Sequence, residues 1–171
     1  MSIKGLGEFT TKISTLKPGE RIYLDGPYGS FNLDRYSDAK RLVFIPGGIG
    51  VTPIMSMLRT MADRKDKRPI LLFYCNRDLE TVAFREEIKE LENQLDLKTI
   101  YTIEKPPQKW DGESGFLNED ILKKHTPSKW ILEGTDIFLC GPTPMMNAVE
   151  KELTTTGFSH KQIHTERYAF V

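Results

Sequence analysis

From Arg41 onward, short apolar runs alternate with amphipathic ones. RLVFI is dense in branched and aromatic residues and predicts a buried strand. TPIMSMLRTMADR follows with Ile54, Met57, Leu58 and Met61 at helical spacing, and PILLFYCN predicts a second buried strand. In TVAFREEIKELENQL, Phe84, Ile88, Leu91 and Leu95 form one apolar stripe while the other faces are charged, the mark of a surface helix. LKTIYTI predicts a third strand, and a Pro/Gly-rich loop runs from Lys105 to Gly115. NEDILKKH then reads as a short helix, DIFLCG as a fourth strand, PMMNAVEKELTTTG as a helix ending at Gly157, and QIHTERYAF as a last strand. Strands alternating with helices call for parallel crossovers and helices on both faces. The expected fold over residues 40–171 is therefore a doubly wound α/β domain with a mainly parallel five-stranded sheet.

Residues 1–39 break that pattern. GEFTTKISTL reads as a short helix, and ERIYLDGPYGSF as a strand entering a turn at Gly26, Pro27 and Gly29. So short a segment cannot bury its own apolar residues, so it is expected to be the tail of a preceding domain. Composition narrows the function. Acidic and basic residues balance at 24 each, giving no general field for nucleic acid or anionic membrane. No apolar run reaches spanning length, and the start lacks the apolar core of a signal peptide. The expected setting is cytosolic, as a soluble protein or as the soluble portion of a longer membrane protein. The two cysteines, Cys75 and Cys140, each end an apolar stretch; they give no disulfide framework, no metal spacing and too few thiolates for an iron–sulfur cluster.

In an open α/β sheet, ligands bind where strands turn into helices. PGGIGVTP sits at such a turn: Gly47, Gly48 and Gly50 let a ligand approach the backbone, and Thr52 is placed to cap a helix beginning at Pro53. Backbone amides and the positive helix end favour a pyrophosphate there. Taken alone the loop reads only as an anion site, and a tight turn without a ligand has the same spelling. In DIFLCGPTPMM, Cys140 ends a strand beside Gly141 and Pro142; a small buried hydrophobe is the commoner fate of such a cysteine. YCNRD lies where a dinucleotide ribose is read. There Arg77 suits a 2′-phosphate, Asp78 suits a free 2′-hydroxyl, and a solvated Arg77 fits equally well. His125, His160 and His164 are scattered and suggest neither a metal site nor a triad; His125 sits favourably at a helix end. Trp110 and Trp130 read as packing residues.

GPYGSF, GGIGVTP and CGPTPMM, in that order, resemble the ferredoxin–NADP reductase superfamily, and IKGLGEFTTKI before them and HTERYAF after them extend the likeness over nearly the whole chain. The texture of KGLGEFT, GPYGSF and the Trp110-to-Phe116 stretch is closest to the ferric-reductase-like and NADPH-oxidase-like branch. The resemblance implies a flavin barrel, of which residues 1–39 are the C-terminal part, followed by an NAD(P)-binding domain. It places Gly7, Phe9 and Thr10 on the FAD pyrophosphate and Gly47, Gly48, Gly50, Val51, Thr52 and Pro53 on that of NAD(P)H. It puts Asn76 and Arg77 at the adenosine ribose or its phosphate, and Cys140, Gly141, Pro142 and Met145 on the nicotinamide side. Glu166 and Tyr168 then match a Glu-x-aromatic element near the flavin, with Phe170 the alternative aromatic. The family's Arg-x-Tyr-Ser element, which cradles the flavin, has no counterpart before Ser2, so the chain alone is expected to hold FAD poorly.

The implied activity is transfer of hydride from NAD(P)H to FAD, followed by single-electron transfer to a ferric chelate, haem, oxygen or a carrier protein. Cys140 is expected as a small polarisable wall beside the nicotinamide, Glu166 as a tuner of local charge, and Tyr168 as the cover of the flavin face. A nucleotide-binding or regulatory module without turnover is the competing expectation for this chain. A subunit feeding a partner's iron–sulfur cluster is disfavoured, because the usual cysteines are missing.

Overall fold

The computed structural model describes residues 3, 5, 7–26, 29–132 and 134–167. The chain divides into two compact units, parting between Ser30 and Phe31.

In the first unit, helix α1 (Glu8–Ile13) forms as predicted. At its start the Gly7 amide donates to Thr10 Oγ1 at 3.0 Å, and the same hydroxyl donates back to the Gly7 carbonyl at 3.2 Å. The strand expected from Glu20 is absent. Residues 20–26 form no strand, and Ile22, Tyr23 and Leu24 are 52%, 88% and 73% exposed. A strand needs a neighbouring strand for its amides and carbonyls, and the described residues of this unit include none.

The second unit runs β1 (Arg41–Pro46), α2 (Val51–Asp63), β2 (Ile70–Asn76), α3 (Arg85–Glu92), β3 (Leu97–Ile103), β4 (Glu113–Ser114), α4 (Glu119–His125), α5 (Ser128–Leu132), β5 (Thr135–Gly141), α6 (Thr143–Thr156) and β6 (Ile163–Arg167). The strands form one parallel sheet in the order β4-β3-β2-β1-β5-β6. One face carries Leu42, Phe44, Leu72, Tyr74 and Phe138 under α2 and α3. The other carries Val43, Ile45, Phe73, Ile137 and Leu139 under α4, α5 and α6. The core strands β1, β2 and β5 are buried on both faces, which is why they read as continuous apolar runs.

The sheet has six strands where the sequence predicts five. The sixth, β4, is two residues long and lies inside the Pro/Gly-rich loop, paired to Thr102 and Ile103. Helix α3 begins at Arg85 because Phe84 takes a left-handed conformation (φ 58°) that no helix continues through. Residues 31–39 also belong to this unit. Asn32 caps a 3₁₀ turn over Leu33–Tyr36, and Phe31 and Tyr36 stand edge-on to Phe138 at 5.4 and 5.5 Å between ring centroids. Among the described residues no helix is long and apolar enough to cross a membrane.

The loop around β4 is held by a cluster of charges. Glu113 Oε1 receives Lys124 Nζ at 2.8 Å and His125 Nε2 at 2.6 Å, while Trp110 Nε1 donates to the Glu113 carbonyl at 3.0 Å. His125 therefore does more than complement a helix end. Lys124 first, and His125 after it, hold the Glu113 carboxyl below the usual carboxylate range. A carboxyl depressed in the folded state stabilises above its unfolded value of about 4.3, and that stabilisation is lost as pH falls through the folded value. The Trp110 indole N–H resonance should accordingly shift towards its solvent-exposed position on acidification below about pH 4. Glu113→Gln should show the shifted resonance already at neutral pH, and an unmoved signal in that variant would disprove the coupling.

Candidate nucleotide site

β1 and β5 are neighbours in the sheet, but their crossovers leave in opposite directions. Their carboxyl ends thus bound the crevice where doubly wound sheets bind ligands. The two turns leaving these strands are locked back to back. The Gly47 amide donates to the Cys140 carbonyl at 2.8 Å, and a Cβ on Gly141 would lie 3.2 Å from the Gly47 backbone. A Cβ on Gly50 would lie 2.2 Å from the Cys140 carbonyl oxygen, and one on Gly47 would lie 2.1 Å from Met145 Sδ and 3.2 Å from Pro142 Cδ. Gly50 is therefore demanded by the protein's own packing against backbone, and Gly47 by the Met145 side chain, whatever ligand approaches the loop. Gly48 is different: its φ is +53° and nothing lies within 4 Å of a Cβ placed there.

The loop's amides are also partly engaged. Gly50 donates to the Gly47 carbonyl, and Val51 to the Gly48 and Ile49 carbonyls, in a 3₁₀ turn that feeds directly into α2. Helix α2 begins at Val51 with Gly50 as its cap, so Thr52 is not the cap expected. It lies in the first turn, where its hydroxyl donates to the Ile49 carbonyl at 3.1 Å and Pro53 follows it. Open space at Gly48 and the positive end of a thirteen-residue helix make the anion-attracting part of the site.

Beside it, Asn76 ends β2 on the face that carries Tyr74. Asn76 is 8% exposed; its carboxamide interacts with the Tyr74 hydroxyl, but neither of its polar atoms completes a hydrogen bond of full geometry. Burial chiefly pushes the Tyr74 hydroxyl up to about 12, so it stays a neutral donor, reaching the Gly48 carbonyl at 3.4 Å. A buried, under-satisfied amide next to an open glycine turn fits a polar dinucleotide, whose ribose and phosphate oxygens can satisfy it.

The sequence model of the oxidoreductase NAD-binding domain family matches residues 44–151. The chain belongs to that family. Among curated relatives, NADH-cytochrome b5 reductase 2 of Mycosarcoma maydis is 31% identical over 145 residues, covering 84% of this chain and 41% of that protein. The nitrate reductase [NADPH] of Fusarium oxysporum is 31% identical over 166 residues, covering 89% of this chain and 18% of that protein. Among solved structures, the cytochrome b5 reductase domain of Ulva prolifera nitrate reductase superposes with a TM-score of 0.83 at 28% identity, covering 94% of this chain and 64% of that one. The chain spans well under half the length of the two curated relatives.

In this NAD-binding domain, the parallel register sets Pro46, Cys140 and Glu166 level in one row across β1, β5 and β6. Cys140 is fully buried, as an ordinary core cysteine would be, so any contact with a ligand requires its cover to move. Glu166 is half-buried in the same row. Arg77 is exposed, its Nε 3.9 Å from Asp78 Oδ2. Gly141 and Pro142 form the turn out of β5, and Met145 in α6 packs onto Gly47. Gly7, Phe9 and Thr10 lie in the first unit, with Phe9 77% exposed. Tyr168 and Phe170 lie outside the described residues.

Three features had no reading in the sequence: the under-satisfied state of Asn76, the Tyr74 hydroxyl on the glycine loop, and the pairing of His164 with Asp136. Each depends on strand register across the sheet. Only the polar Asn76 closing an apolar strand carried a signal. Cys75, the other thiol, is half-buried, and desolvation pushes it up to about 12. Among the described residues, no group of three His, Cys, Asp or Glu side chains is placed to hold a metal ion.

Proposed function

We propose that this chain is the nucleotide-binding part of an NAD(P)H-dependent flavin oxidoreductase that passes electrons to a haem carrier of the cytochrome b5 kind. The observation that carries the reading is the buried, under-satisfied Asn76 beside the open Gly48 turn at the switch point of the sheet. The names of the cytochrome b5 reductase and nitrate reductase relatives support the reaction class and the haem acceptor. Residues 1–30 would close a flavin domain and residues 31–171 hold the nucleotide.

The α2 end and Gly48 hold the pyrophosphate, and Asn76 fixes the adjacent ribose by both halves of its carboxamide. Arg77 lies just beyond and favours a 2′-phosphate, although the relatives carry both NADH and NADPH in their names. FAD, when bound, supplies the conversion of a two-electron donor into a one-electron one. Cys140 sets the depth of the nicotinamide pocket as a compact apolar wall, and Glu166 supplies negative charge in the same row. Tyr168 would cover the flavin side.

The test is NAD(P)H-dependent reduction of cytochrome b5 by the chain joined to its flavin domain, with NADH and NADPH compared. Nucleotide binding without reduction of any acceptor would overturn the reading. In that protein, Cys140→Ser should slow the bleaching of FAD absorbance by about tenfold, with the nucleotide Kd little changed, because the wall shifts the reacting atoms and not the phosphates. An unchanged bleaching rate would remove Cys140 from the pocket.

A second reading is a nucleotide-binding module without turnover in this form. Residues 20–26, which form no strand and leave Ile22, Tyr23 and Leu24 exposed, favour it for the chain by itself. A colourless purified chain that binds NAD(P)H would be its signature.

A further inference from the structure

Directly beneath the row of Pro46, Cys140 and Glu166, two residues down each strand, lies a row of Phe44, Phe138 and His164. The step between rows is about 6.6 Å along the strands. His164 is the fixed member at the sheet edge. Its Nε2 lies 2.6 Å from Asp136 Oδ1, and its ring stacks on Tyr36 with centroids 3.6 Å apart and planes 23° off parallel. Phe138 lies against it at 5.3 Å. The side chains of His164 and Asp136 are 12% and 21% exposed, so the contact is largely withdrawn from water. Because a carboxylate accepts only, Nε2 carries the proton and donates.

β6 is an edge strand, bonded to the sheet on one side only. On its outer turn Arg167 reaches Asn147 Oδ1 at 2.7 Å and Glu150 Oε1 at 2.6 Å on α6. Glu166 thus sits between two anchored neighbours, and the one on its own face is His164. We propose that His164 is the positioning residue for Glu166: donating to Asp136 and stacked on Tyr36, it holds the edge strand in register and keeps Glu166 level with Cys140. The functional part of this inference rests on the nucleotide-site reading above. The strand-holding part does not.

The experiment uses the 171-residue chain. Amide exchange is followed by NMR in His164→Ala, in His164→Gln, which keeps a donor near Nε2, and in Asp136→Ala, which leaves the aromatic packing in place. In His164→Ala and Asp136→Ala, the Glu166 amide, which faces β5, should exchange about tenfold faster or more, with β1 and β2 unchanged, as in local opening of an edge element. His164→Gln should restore most of the protection. On saturation with NAD+, both Ala variants should keep Kd within about threefold while the ligand-induced shifts at Cys140 and Glu166 shrink. Unchanged exchange at Glu166 in both Ala variants would overturn the proposal, and so would loosening that Gln fails to rescue. If the wild-type chain does not bind NAD+, the nucleotide reading fails by itself, and the exchange data still decide the role of His164.

Discussion

Gly50→Ala should cost this chain nucleotide binding and stability together, whereas Gly48→Ala should cost binding with a smaller loss of stability. The new methyl at Gly50 would sit 2.2 Å from the Cys140 carbonyl oxygen, 2.6 Å from its carbon and 2.9 Å from the Gly141 nitrogen. All three are backbone atoms, so no rotamer change relieves the clash. The two turns must part, breaking the Gly47-to-Cys140 hydrogen bond and tilting the start of α2. Overpacking of this kind costs about 1–3 kcal/mol or more, and displacement of the helix end removes the anion site with it. A loss of at least about a hundredfold in NAD(P)+ affinity is expected, together with a lower melting temperature. At Gly48 the methyl meets open space, and the cost to the fold is the roughly 1–2 kcal/mol of a left-handed alanine. Its expected effect on binding comes from filling the open space that the proposed site gives to the phosphates. Titration calorimetry and thermal melts of the two variants separate these effects. Equal melting temperatures for Gly50→Ala and wild type would show that the turns are not locked.

The legible parts of this molecule were those set by local pattern. β1, β2, β3 and β5 are buried runs bounded by turn residues, and α2 and α6 show their spacing in single residues such as Ile54, Met61 and Leu153. Gly157, left-handed at φ 112°, closes α6 where the sequence ends it. The illegible parts were those decided across the sheet. β4 exists because Glu113 and Ser114 find Thr102 and Ile103, and two residues carry no period. Phe84 stops α3 from starting earlier through a backbone conformation that no propensity favours for phenylalanine. The glycine loop was located by its spelling, but its meaning was not. Gly47 and Gly50 are bare because Met145 and Cys140 press on them, a fact that needs α6 and β5 in place. His164 looked like a scattered residue because its partner Asp136 is distant in sequence and adjacent only through register.

Asn76→Leu should move stability and affinity in opposite directions. The carboxamide of Asn76 is buried and only weakly satisfied, by the Tyr74 hydroxyl, which costs the unliganded fold up to about 1–3 kcal/mol relative to an apolar side chain of similar size. Leucine removes that cost, so the melting temperature of the unliganded chain should rise by about 2–5 °C. The same substitution leaves ribose and phosphate oxygens facing a hydrocarbon, so NAD(P)+ affinity should fall about tenfold or more. A purely structural asparagine gives the reverse stability result: removing a satisfied partner lowers the melting temperature and leaves binding alone. Tyr74→Phe is the companion variant: its hydroxyl meets both the Gly48 carbonyl and the Asn76 carboxamide, so its loss should loosen the loop and lower the melting temperature while leaving the carboxamide in place for the ribose. A stabilised Asn76→Leu chain that binds nucleotide normally would mean that Asn76 is not held open for the ligand. On the proposed reading, stability given up at the end of β2 is what the nucleotide would recover on binding, in the room that the Gly48 turn leaves beside it.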